Sequence, residues 1–157
     1  MKKCLFFLII IILAVLETAL LNSFGIFTVR PDLLLLCVAL AAFNFDLNWV
    51  LIFSVFIGVL KDALTVNSFA VYTLLFPLWG FLIVKASRKL SLEDNYLRFA
   101  LILILVVLND IILRLIFFLS GRYIPFGAFL GITLIEFLYT ALILPLLFKI
   151  FKPLGYL

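Results

Sequence analysis

Leu97-Arg-Phe-Ala-Leu-Ile-Leu-Ile-Leu-Val-Val-Leu-Asn109-Asp110-Ile-Ile-Leu-Arg114-Leu-Ile-Phe-Phe-Leu119 is the stretch on which the reading of the fold turns. It exceeds the roughly 20 residues that cross ~30 Å of hydrocarbon. Its apolar residues form a solid run, without the polar/apolar alternation of a barrel strand. Hydrocarbon obliges every backbone N–H and C=O to find a partner inside the structure, so the run is a transmembrane helix. Asn109, Asp110 and Arg114 lie within it, and polar groups at that depth are expensive and mark function by default.

The rest of the chain reads the same way. Of its 157 residues 68% are hydrophobic and 13% charged, whereas soluble domains are roughly 45–50% apolar and about 25% charged. Apolar runs fill nearly the whole length, which leaves no room for a soluble domain. The expected fold is all-α: a single polytopic transmembrane domain over 1–157, with about six spans near 4–21, 31–45, 47–64, 69–84, 97–119 and 128–148. Lys2-Lys3 and the following apolar run have the outline of a signal peptide but no small-x-small cleavage site, so an uncleaved first span is expected. Residues 31–64 are either two short spans or one re-entrant hairpin, turning at Asn44, Asp46 and Asn48; Arg30-Pro31 opens the first arm. Ser91-Leu-Glu-Asp94 has capping-box spacing before span five, and Pro145 is expected to bend span six.

Lys and Arg are retained on the cytoplasmic side of a bilayer. With six spans and the N-terminus inside, Lys2, Lys3, Lys85, Arg88, Lys89, Arg98, Lys149 and Lys152 fall inside, against Arg30, Lys61 and Arg122 outside. Both termini are then cytoplasmic, and a re-entrant hairpin leaves that parity unchanged. Trp49 and Trp79 are expected at the inner interface as anchoring indoles. Cys4 and Cys37 fall near opposite faces, too far apart for a disulfide. The net charge of +4 is topological and does not point to nucleic acid.

No catalytic residue is assigned. Histidine is absent, which excludes His-based triads and the usual zinc sites, and no P-loop, metal-ligand spacing or nucleophile with a base is present. No metal or cofactor is expected. The candidate site is an intramembrane polar cluster of Glu17, Asp62, Asp110, Arg114 and Glu136, all in the outer half by this topology. At 1.5 Å per residue Asp110 and Glu136 are level, each ~13 Å deep. Asp110 and Arg114 share a helical face, and Thr133, Glu136 and Thr140 form a stripe on span six. Three readings stand: Arg114 braces helices five and six, a partner helix docks there, or a small molecule binds. Glu17 and Asp62 can also reach the interface and be solvated. Gly127-x-x-x-Gly131 permits close helix packing, internally or in a homo-oligomer. Lys85, Arg88 and Lys89 are the candidate cytoplasmic contact, for a partner or for anionic membrane lipid. The inner half lacks polar residues along one path, so a channel is not expected.

Val29-Arg-Pro-Asp32-Leu-Leu-Leu-Leu, Phe56-Ile-Gly58-Val-Leu-Lys-Asp62-Ala-Leu and Leu108-Asn-Asp110-Ile-Ile resemble segments of the rod shape-determining MreD family. With length, topology and a basic C-terminal tail, the resemblance covers most of the chain. That family commonly has glycines about four and eight residues after its aspartate, where this chain has Val66 and Ala70. The resemblance implies a non-enzymatic scaffold of the bacterial cell-elongation machinery in the cytoplasmic membrane. Its implied partners are the bitopic protein MreC, the filament MreB and peptidoglycan synthases. The family is also similar to the six-helix substrate-binding subunits of energy-coupling-factor vitamin transporters, which supplies a second expectation, capture of a small molecule.

Reporter fusions at Leu157 and within Gly121–Pro125 are expected to report opposite sides of the membrane, the C-terminal one cytoplasmic. An external C-terminus would overturn the topology.

Overall fold

The computed structural model describes residues 2–23, 32–65, 70–90, 95–121 and 125–151. They form six helices and, among the described residues, no strand: α1 Lys2–Ser23, α2 Leu33–Asn44, α3 Leu47–Leu64, α4 Val71–Leu90, α5 Asn95–Leu119 and α6 Phe126–Phe151. Leu47–Leu64, Tyr96–Leu119 and Leu130–Lys149 are long and apolar enough to cross a membrane.

Successive helices run in opposite directions. At one end, aromatic rings lock the start of α1 to the end of α2 and the start of α3: Phe6 stands edge-on to Phe45 and Phe53, with centroids at 5.1 and 5.0 Å. Arg98 at the start of α5 lies 5.7 Å from the Phe43 ring, and Phe99 meets Phe148 near the end of α6. The first turns of α1 and the last of α6 therefore share one end of the bundle. The opposite end is held by charged groups.

α2 sits at the centre, against α1, α3, α4 and α5. Its residues Leu33 to Ala42 are all buried, as expected of a helix that is apolar all round. Twelve residues rise only about 18 Å, short of the hydrocarbon thickness. Because neighbouring helices enclose it, α2 does not have to meet lipid along its length. Residues 33–64 are thus a short inner helix, α2, followed by the longer α3.

α3 and α4 form the closest pair, and two glycines make that possible. A Cβ on Gly58 would stand 2.6 Å from the Tyr72 carbonyl oxygen and 2.7 Å from Thr73 Cα; one on Gly80 would stand 2.7 Å from Ser54 Oγ. Just before α4, Ala70 has φ +54, a left-handed conformation that disfavours a side chain. This is one of the two positions where the resembled family commonly has glycine; Val66, the other, lies outside the described residues, as do Arg30-Pro31 and Ser91–Asp94.

Several expectations are corrected. α4 continues to Leu90, its last turns favoured by the good helix formers Lys85, Ala86, Arg88 and Lys89 and by basic charge at a helix C-terminus. Lys85, Arg88 and Lys89 are accordingly helical rather than beyond the end of the fourth helix. The longer helix also brings Trp79 to its middle, where the indole is buried instead of lying at an interface. Gly127 and Gly131 do not serve internal packing: a Cβ on either meets nothing within 4 Å. At about 100° per residue they share the face of Leu134 and Leu138, opposite Thr133, Glu136 and Thr140. α6 continues through Pro145 as one helix, which is compatible with the expected bend there.

Gly58→Ala forces a Cβ into backbone atoms and is expected to cost about 1–3 kcal/mol. Ala70→Gly relieves the left-handed strain, and after its own entropy cost should stabilise by about 0.5–1 kcal/mol. Thermal unfolding in detergent should move the two variants in opposite directions.

Candidate intramembrane polar site

At the end of the bundle where α1 and α3 finish and α2 and α4 begin, three charged residues meet in the interior. Lys61 Nζ donates to Glu17 Oε1 and, at 3.1 Å, to Asp32 Oδ1. All three side chains are 10% exposed or less. The two carboxylates also serve the start of α2, whose first amides have no intrahelical acceptor. Asp32 Oδ1 accepts from Leu35 N at 2.9 Å as an N-cap, and Glu17 Oε2 accepts from Leu34 N at 3.3 Å. Negative charge there also complements the positive end of the helix dipole. The Lys61 ammonium lies 5.6 Å from the Tyr72 ring centroid, which brings α4 into the same junction.

Asp62 turns the other way. It caps α4, accepting from Tyr72 N at 3.2 Å, Thr73 N at 2.8 Å and Thr73 Oγ1 at 2.6 Å. Gly58 lies one turn earlier on α3 and clears the room for this approach. The Gly58–Asp62 pair is therefore one device: absence of a side chain brings the helix start close, and the carboxylate then ties it down.

Farther along the bundle Trp79 Nε1 donates to Asn109 Oδ1 at 3.1 Å, joining α4 to α5 with both residues buried. The next residue, Asp110, faces α6. Thr133 and Glu136 approach its carboxyl across the α5–α6 seam, and Arg114 acts on it from one turn away. Even so, Asp110 Oδ2 and the hydroxyls of Thr133 and Thr140 are buried without a hydrogen-bond partner. Asp32 and Lys61 also act on Glu136 at longer range through their charge.

Of the five cluster residues expected from sequence, Asp110, Arg114 and Glu136 come together. Glu17 is held instead in the Lys61 triad, and Asp62 is engaged with α4. The expected solvation of Glu17 is corrected, since it is ion-paired in the interior; Asp62 is half-buried and accepts three hydrogen bonds. Asp32 and Lys61 escaped notice, Lys61 having been assigned to the outer rim. The available signals were Asp32 placed as an N-cap before an apolar run and a lone lysine near a span end that requires a counter-charge. Among the described residues no group of three or more His, Cys, Asp or Glu could hold a metal ion. At the other end Lys85, Arg88 and Lys89 are exposed on the last turns of α4, Lys85 lying 5.9 Å from the Phe81 ring.

The family model described as rod shape-determining protein MreD matches residues 1–154. No curated protein matches, and no solved structure matches.

Lys61→Met leaves two interior carboxylates without their cation and is expected to cost about 3–5 kcal/mol. Glu17→Gln leaves Lys61 a second carboxylate and should cost less. Because the residues are coupled, the double variant should recover part of the Lys61→Met loss. Detergent melting curves of the three proteins check the order; equal losses would show that the triad does not act as a unit.

Proposed function

The chain belongs to the MreD family of rod shape-determining proteins, and from that premise we propose that it is a non-enzymatic membrane scaffold of the cell-elongation machinery. In this reading it holds an MreC-like bitopic protein and connects the cytoplasmic MreB filament to peptidoglycan synthases outside. The observation that carries it is the use of the polar side chains. Lys61, Glu17, Asp32, Asp62 and Asn109 all join one helix to another or cap a helix start. None is arranged around a bond to be broken. Such a bundle is suited to presenting fixed surfaces, which is what a scaffold requires.

The polarity of the bundle supports the division of labour. Its aromatic end carries Lys85, Arg88, Lys89 and Arg98, matching a cytoplasmic face under the positive-inside rule, with the start of α1 and the end of α6 on that side. Its charged end then lies in the outer half. The small-molecule alternative draws support from the unmet oxygens of the α5–α6 seam. The apolar hollow of about 410 Å³ lined by Ala100, Leu103, Ile104, Val107, Leu108 and Phe137 has none of the converging polar groups such a ligand needs.

Affinity purification from membranes in mild detergent is expected to yield a bitopic protein with a large outer domain; recovery of ATPase subunits in its place would favour the transporter reading. Replacing Lys85, Arg88 and Lys89 together with glutamine should weaken recruitment of the cytoplasmic partner while insertion continues. Unchanged recruitment would leave those charges to lipid and orientation.

A further inference from the structure

The α5–α6 seam is incomplete in a specific way. Asp110 is 6% exposed and Thr140 1% exposed, yet Asp110 Oδ2 and Thr140 Oγ1 have no hydrogen-bond partner, and Thr133 Oγ1 has none either. Buried polar atoms are paired in the great majority of cases, and each exception calls for an explanation. Thr133, Glu136 and Thr140 occupy one face of α6 at spacings of three and four, so the unmet hydroxyls flank Glu136 and the unmet carboxylate oxygen stands across from it.

Charge points the same way. The carboxyl groups of Asp110 and Glu136 interact across the seam, and Arg114 acts on Asp110 from one turn away. Lys61 is committed to Glu17 and Asp32, and Arg114 leaves Asp110 Oδ2 unmet. A buried carboxyl group with an unmet acceptor oxygen is complementary to a guest with positive charge and N–H groups. Threonine hydroxyls complete it, since each can accept one of those N–H bonds.

We propose that the seam at Asp110, Thr133, Glu136 and Thr140 is a binding site for a cationic hydrogen-bond donor, an ammonium or guanidinium group. The group comes either from a basic side chain of a membrane partner or from a free organic cation. Both supply the same chemistry: positive charge beside Asp110, and N–H donors for Asp110 Oδ2 and the hydroxyls. The site does not depend on the scaffold reading, because its occupancy is measured on the isolated chain.

The test uses the purified full chain in detergent, with melting temperature followed against methylguanidinium, n-propylammonium, tetramethylammonium and sodium chlorides at matched ionic strength. The two N–H-bearing cations are expected to give a saturable upward shift that the others do not. Asp110→Asn should abolish it, Glu136→Gln should weaken it, and Thr140→Val should reduce it while leaving the unliganded protein folded. No shift with any cation, equal shifts with tetramethylammonium or sodium, or an undiminished shift in Asp110→Asn would overturn the proposal. If Asp110→Asn does not fold, Thr140→Val and Thr133→Val decide alone, and unchanged shifts in both would overturn it. Adding methylguanidinium to a complex with a captured bitopic partner separates the sources. Release of the partner identifies its basic side chain as the guest, and retention with a persisting shift identifies a free cation. Failure to capture any partner tests the scaffold alone.

Discussion

The bundle depends on one constraint: the Lys61 ammonium has been taken out of water and must keep both of its carboxylates. Removing two unlike charges from water carries a desolvation cost that close pairing alone often fails to offset. Here the cost is shared. Glu17 and Asp32 also satisfy the Leu34 and Leu35 amides, which would otherwise be open donors at the start of an enclosed helix. One cation, two anions and a helix terminus thus form a closed set of interactions drawn from α1, α2 and α3. α4 is tied on by the next residue, Asp62.

This arrangement explains how a helix as short as α2 can be central. An apolar helix about 18 Å long leaves its start well inside the bilayer if its far end lies near an interface. Open amides at that depth would be costly in lipid. The triad supplies partners for two of them from side chains of the surrounding structure. The far end is handled differently: Asn44 Nδ2 donates to the Leu40 carbonyl at 2.7 Å and Phe45 takes an extended conformation, so the chain turns directly into α3.

The helical frame was legible because it rests on hydrophobic run length, a property of contiguous residues. The run near 47–64 coincides with the helix Leu47–Leu64, whereas the basic residues that end α4 lie beyond the apolar run 69–84 and so carry no signal of run length. The site was half legible. Depth along each helix could be counted, so Asp110 and Glu136 were brought level. The azimuth of one helix about another is set by packing at a distance in sequence, and Lys61 and Asp32 are 29 residues apart. Gly58 and Asp62 could be recognised as a pattern, but their shared task depends on where α4 begins. Trp79 was misplaced for a related reason: an indole at an interface and an indole bonded to a buried asparagine look alike until the asparagine's helix is in place.

Chain order adds a consequence of its own. Glu17 and Asp32 are synthesised well before Lys61, so the first two helices reach the bilayer carrying acids whose counter-ion has not yet been made. An unpaired aspartate at the start of a helix is costly if it lies below the bilayer surface, and a helix of twelve residues has little apolar length to set against it. α2 is therefore poorly suited to partition alone. It would enter with α3 or wait beside α1 at the insertion machinery until Lys61 arrives, which makes the hairpin, rather than the single helix, the unit of biogenesis.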